Sequence, residues 1–219
     1  MDVYSSIVGF FQDGGVFMYP IVVVFAIGAV IAIERWVYLT KAAISSKSLW
    51  KQITPYLRAG KFNEAVGLAN KSNAAIATVM SYGLKRTATA TSRDDVEKAM
   101  EESLMEITPR LEKRTHYLAT FANIATLLGL LGTIIGLIRA FTAVAGANPA
   151  EKADLLSASI SVAMNTTAFG LMVAIPLLLI HTVLQTKTTE LIDSLEMASV
   201  KFLNTIFERQ SSAPQGKPA

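Results

Sequence analysis

Three blocks of the chain are apolar enough to leave water, and the polar positions between them set the rest of the architecture. Residues 115–138 and 155–186 contain no Asp, Glu, Lys or Arg, and another apolar run begins near Val16. About 20 apolar helical residues cross a bilayer core. Only helices and closed barrels satisfy their backbone in lipid, and none of the runs alternates as a barrel strand does. The pattern predicts an all-α polytopic membrane protein with three transmembrane helices. Two of these helices extend far into a cytoplasmic helical region.

The predicted order follows from punctuation and periodicity. Residues 1–13 form an amphipathic segment at the outer interface, ended by Gly14-Gly15. The first span covers 16–39, with Tyr19 and Trp36-Tyr38 as interfacial aromatics and Glu34-Arg35 as anchors. Residues 40–115 read as short cytoplasmic helices too small to make a core alone, which must lean on the longer helices. Within them Ser92-Arg93-Asp94-Asp95 has the form of a capping box. Val96, Met100, Leu104, Ile107 and Leu111 then repeat at helical spacing. A helix from Asp94 to Val144 is expected to measure about 75 Å, kinked or restarted at Pro109.

The second span covers 118–144 and the outer loop 145–152. In that loop Asn148, Pro149 and Glu151 match the cap, first position and third position of a new helix. The third span covers 153–186, its helical extension 187–210, and 211–219 have the composition of a disordered tail.

Charge turns this pattern into a topology. Of the twenty Lys and Arg residues, fourteen lie in 35–114 and none in 1–18. The positive-inside rule therefore places the N-terminus and the loop 145–152 outside, and 40–115 and the C-terminus in the cytoplasm. Hydrophobic residues make up 52% of the chain, with mean hydropathy +0.41. The basic residues follow this topology rather than forming a patch, so no nucleic-acid partner is expected. There is no cysteine, which excludes disulfides and thiolate chemistry. No basic region precedes the first apolar run, so that run is expected to be retained as a span.

The two charge-free runs are unusually polar for membrane helices. Asn123, Thr126 and Thr133 are spaced to share one stripe of the second span, and Asn165, Thr166 and Thr167 cluster in the third. A membrane Thr commonly bonds the carbonyl one turn back and does nothing more. A set of such groups facing a subunit interior would instead line a path for an ion. Gly129, Gly132 and Gly136, and on the other arm Ala163, Thr167, Gly170 and Ala174, make small faces suited to close helix packing. Two readings stay open on the residues alone: an ion path, or a structural scaffold whose polarity serves only packing. The runs hold no carboxylate, and His116 and His181 lie toward their cytoplasmic ends. Proton conduction would need an acid from a partner. No nucleophile–base pair, metal cluster, phosphate loop or cofactor site is seen, so an enzyme is not expected.

Gly129-Leu-Leu-Gly132-Thr133-Ile-Ile-Gly136 resembles the GLxGTVxG signature of the MotA/TolQ/ExbB channel family. Thr166-Thr167-Ala168-Phe169-Gly170-Leu171-Met172-Val173-Ala174-Ile175-Pro176 resembles that family's third span, and residues 14–35 its first. The likeness covers roughly residues 10–200 and is closer to the ExbB/TolQ branch than to four-span MotA. It implies a bacterial inner-membrane homopentamer enclosing a dimer of single-span ExbD-, TolR- or MotB-like partners. The partner's membrane Asp would carry the ion, with Thr133 and Thr167 facing it. Cation flow would drive rotation that does work on the envelope, for example through a TonB- or TolA-like protein. Val162 stands where many relatives have Glu, and Thr126 where a Pro is common. The transported cation is therefore a proton or, with Thr133, Thr166 and Thr167 as oxygen ligands, sodium.

Overall fold

A computed structural model of the chain describes residues 9–11, 14–87, 89–90 and 92–212, with the side chains of 209–212 left undescribed. Among the described residues six long helical elements follow one another after the helical residues 9–11: α1 Met18–Ala59, α2 Phe62–Asn70, α3 Ala75–Thr87, α4 Arg93–Glu112, α5 Thr115–Gly146 and α6 Lys152–Ser212. The protein is all-α, with no strand among the described residues. Three helical stretches among those residues are long and apolar enough to cross a membrane. Most of the expected segment 1–13 and tail 211–219 lie outside the described residues; 9–11 and 211–212 are helical.

The helices divide into two compact units. The first takes Met1–Arg35 with Arg114–Val183, and the second takes Trp36–Lys113 with Leu184–Ala219.

In the first unit the start of α1 packs with α5 and the first half of α6. Gly15 adopts φ +73°, a conformation that favours glycine. It starts a turn in which the Met18 amide donates to the Gly15 carbonyl at 3.2 Å. Pro20 falls within the first turn of α1, where its missing N–H has no helical partner to lose. Pro176 lies inside α6, and the helix continues through it. Small residues fill the α5 seam: Ala122, Ala125, Gly129 and Gly132 are buried, while Ile124, Leu127, Leu130 and Leu131 are exposed. Large apolar side chains on the outside and small ones inside are the reverse of a water-soluble helix, and they fit lipid as solvent.

The second unit has a core of ordinary aliphatic and aromatic side chains. Ile53 and Leu57 of α1, Met80 of α3, Met100 of α4 and Phe202 of α6 are fully buried. The short helices thus share one core with the ends of the long ones, which supplies the burial they lack alone.

The capping box at the start of α4 is formed. The Asp95 amide donates to the Ser92 hydroxyl at 3.3 Å and the Ser92 amide to the Asp95 carboxylate at 3.2 Å. Ser92→Ala is expected to lower the stability of this unit by about 1 kcal/mol, measured as a shift in its thermal midpoint. The buried stripe of α4 reads Val96, Met100, Ser103, Ile107 and Leu111, with Leu104 only half-buried.

The expected continuous helix from Asp94 to Val144 is interrupted, and not at Pro109. Pro109 lies inside α4, and its carbonyl accepts the Lys113 amide at 3.0 Å. The chain breaks at Lys113-Arg114, where Arg114 takes the left-handed conformation at φ +67°. Such a conformation costs a non-glycine residue of order 1 kcal/mol. The Arg114 guanidinium lies 3.8 Å from the Glu34 carboxylate, and Arg35 beside it is buried. Glu34 thus pairs with the residue at which the helix breaks. The start signal at Asn148-Pro149 is likewise shifted: 149–151 form a turn, with Glu151 donating to the Asn148 carbonyl at 3.0 Å, and α6 begins at Lys152.

Candidate ion path in the α5–α6 hairpin

The hairpin is held together by the absence of side chains. A Cβ placed on Gly129 would meet the Thr167 and Gly170 Cα atoms at 3.2 and 3.4 Å. One placed on Gly170 would lie 2.7 Å from the Ala125 carbonyl oxygen. Gly132 faces the Thr166 methyl and Gly136 faces Ala163, with equivalent distances of 2.5 and 2.7 Å. Ala163 and Ala174 are buried on the matching face of α6. Backbone-to-backbone approach of this kind lets dispersion and hydrogen bonding replace the hydrophobic drive that lipid removes.

Close approach brings hydroxyls from both helices to one point. The Thr167 hydroxyl donates across the seam to the Gly129 carbonyl at 2.9 Å. Thr133 Oγ1 is hydrogen-bonded directly to Thr167 Oγ1. It also lies 3.3 Å from the Gly129 carbonyl and 3.4 Å from the Ala163 carbonyl. Each hydroxyl has one proton and two acceptor lone pairs. If Thr133 donates to Thr167 and Thr167 to Gly129, a lone pair of Thr133 is left at the half-buried edge of the seam. The pair then presents oxygen acceptors to whatever lies beside the hairpin: a protonated carboxyl that donates to them, or a desolvated hard cation.

The other candidate residues take different places. Asn123 and Thr126 are exposed along the same stripe of α5 as Thr133, and Thr126 donates to the Ala122 carbonyl one turn back at 3.1 Å. Asn165 is half-buried. Thr166 is fully buried and turned away from Thr133 and Thr167. Its hydroxyl lies 2.6 Å from the Gly14 carbonyl and 3.0 Å from that of Val162. Of the three oxygen ligands considered for sodium, the structure therefore brings two together and aims the third at the turn before α1. Thr166→Val is expected to cost about 1 kcal/mol by orphaning that carbonyl. Faster hydrogen exchange in the segment around Gly15–Met18, with the rest of the hairpin unchanged, is the readout.

One packing residue carried no motif. A Cβ on Gly28 of α1 would lie 2.8 Å from Leu177 of α6. The signal was present, a lone glycine inside an apolar run, but nothing in the sequence names its neighbour. Among the described residues no group of His, Asp or Glu side chains is placed to hold a metal.

A model of the MotA/TolQ/ExbB proton channel family matches residues 71–197. An ExbB homolog of biopolymer transport from Methanothermobacter thermautotrophicus is 28% identical over 196 residues, covering 89% of this chain and 68% of that protein. The Tol-Pal system protein TolQ of Haemophilus influenzae is 31% identical over 117 residues, 52% of this chain and 49% of its own. The biopolymer transport protein ExbB of Aquifex aeolicus is 30% identical over 89 residues, 41% of this chain and 60% of its own. The matched region contains α4, α5, the α5–α6 seam and both threonines that meet there. With three helical stretches able to span a membrane, this chain is a multi-pass membrane protein of the MotA/TolQ/ExbB proton channel family, on its ExbB/TolQ branch.

Proposed function

We propose that the chain is the ion-conducting stator subunit of an inner-membrane motor that couples cation flow to mechanical work on the cell envelope. The observation that carries this reading is the Thr133–Thr167 pair: hydroxyls from two helices meet at a half-buried edge, in runs that contain no acid. The chain supplies oriented oxygens, and a partner supplies the titrating group. That partner is a dimer of single-span ExbD-, TolR- or MotB-like proteins, each with a membrane Asp, enclosed by a homopentamer of this chain. The N-terminus is periplasmic and the C-terminus cytoplasmic. A TonB- or TolA-like protein receives the work.

The cation is a proton in the first instance. A protonated partner Asp crosses the apolar layer as a neutral acid that donates to Thr133, and its proton is released where water can reach it. Sodium is the alternative, because hydroxyl and carbonyl oxygens suit a hard cation.

Purification of the tagged chain from its native membrane tests the partnership. A small single-span protein with an intramembrane Asp is expected to copurify, and its absence overturns the reading. Comparing energised function in sodium-containing and sodium-free medium decides the ion: no change supports the proton, and loss without sodium selects sodium.

A second reading draws on the same bonds. Thr133 and Thr167 also reach carbonyls within their own hairpin, as a purely structural scaffold requires. A scaffold predicts that collapsing the membrane gradient with an ionophore leaves function untouched, whereas a stator stops.

A further inference from the structure

The polarity of α5 does not stop at Thr133. Toward the end that the charge pattern places in the cytoplasm, Thr126, Asn123, Thr120 and His116 follow it, and all four are exposed. Counted at 3.6 residues per turn, the five side chains fall within about 140° of arc, with successive steps of about 10, 5, 5 and 6 Å along the axis. Leu127 and Leu130 are exposed on the same flank, so the row is a series of polar stations rather than a continuous polar groove. Steps of that size are spanned by one to three hydrogen-bonded waters, at about 2.8 Å each.

The last station differs in kind from the others. Between Thr115 and Ile138, His116 and Tyr117 are the only side chains that ionise, and imidazole is the protein group that commonly takes up and gives up protons near neutral pH. The His116 ring lies against that of Tyr117, with centroids 4.3 Å apart. The Thr120 hydroxyl donates to the His116 carbonyl at 3.4 Å. Among the described residues neither the His116 ring nitrogens nor the Asn123 amide is hydrogen-bonded within the chain, so both are open to solvent. The charged residues of α1 at this end are Glu34 and Arg35; Glu34 lies 3.8 Å from the Arg114 guanidinium, and Arg35 is buried. The other histidine, His181 of α6, is half-buried, and between it and Thr167 the exposed flank of α6 is apolar: Leu171, Ile175 and Leu178.

We propose that His116 is the cytoplasmic exit station of the ion path, handing to bulk water the proton that the partner's acid releases beside Thr133 and Thr167. The proton travels through water along the Thr126, Asn123 and Thr120 flank. The neutral ring accepts it at one nitrogen and becomes an imidazolium. The other nitrogen then gives its own proton to cytoplasmic water. The ring ends neutral as the opposite tautomer and resets by turning over, so one proton has crossed and no other group has changed. This assignment rests on the proton reading and the topology above, and it adds the route by which the proton leaves.

Two substitutions of nearly equal shape separate proton transfer from packing. His116→Gln keeps a polar side chain that does not titrate, and His116→Glu keeps one that does. Full-length chain is reconstituted with its copurified partner, and proton flux is compared at equal oligomer yield. His116→Gln is expected to lower proton flux about tenfold, with His116→Glu remaining within about threefold of wild type. His181→Gln is expected to conduct as wild type does. Undiminished flux in His116→Gln would overturn the exit station. Equal loss in His116→Gln and His116→Glu would overturn it too, because the side chain would then matter only for its shape. So would loss in His181→Gln with His116→Gln unaffected, which would put the exit on α6. Wild type that conducts sodium and no protons would overturn the proton reading itself, and this exit with it.

Discussion

Thr167→Val should lower energised function about ten- to a hundredfold while leaving the folded, assembled protein in the membrane. Val keeps the β-branched shape and its χ1 preference, so helix and packing volume change little. What disappears is the donor to the Gly129 carbonyl and the acceptor for Thr133. The structural cost is about one hydrogen bond, roughly 1 kcal/mol. The functional cost is larger, because a hydrogen bond to a charged or titrating partner is worth roughly 1.5–3 kcal/mol, about ten- to a hundredfold in rate. Thr133→Val should behave alike, and the double variant should be little worse than either, since the hydroxyls act as one chain. Thr167→Ser keeps the hydroxyl and should retain most activity. Activity in the cell alongside oligomer yield in detergent separates the outcomes: full activity in both Val variants removes these residues from the ion path.

The second large effect is expected at Gly170. A Cβ there would lie 2.7 Å from the Ala125 carbonyl oxygen and 3.1 Å from the Gly129 Cα. Both are backbone atoms that cannot swing aside. Gly170→Val adds three carbons at that point, so α5 and α6 must separate, at a cost of about 3 kcal/mol or more. Separation also breaks the Thr167 bond to Gly129, so packing and function should be lost together. The expected result is little assembled protein and no activity. Gly67 in α2 is the control, because a Cβ there meets nothing within 4 Å. Gly67→Ala should be neutral or stabilising by about 0.5–1 kcal/mol. Normal assembly of Gly170→Val would contradict the close seam.

These contrasts also show where the sequence was informative. The all-α class and the three spanning stretches follow from composition, because lipid imposes uniform apolarity over a set length and nothing subtler. The box at Ser92-Arg93-Asp94-Asp95 was legible because capping is local: donor and acceptor lie within four residues. The break at Arg114 was not. Pro109 was the evident breaker, yet the helix absorbs it within its last turn and gives way at an ordinary basic residue instead. Arg114 meets Glu34 of α1 there, 3.8 Å away, and helical periodicity carries no trace of such a long-range contact. Thr166 and Thr167 illustrate the same limit within one dipeptide. Their chemistry is identical, but a 100° step around α6 sends one hydroxyl to Gly14 and the other to Gly129. The sequence marks which residues can bond; only the helix pairing decides to whom.

Cation flux into vesicles tests the central claim most directly. The chain is reconstituted with its copurified single-span partner, and proton- and sodium-sensitive dyes are read in parallel under an imposed potential. Wild type should conduct one of the two cations, and the Thr133→Val, Thr167→Val double variant, equally well assembled, should not. Undiminished flux through that double variant would contradict the account.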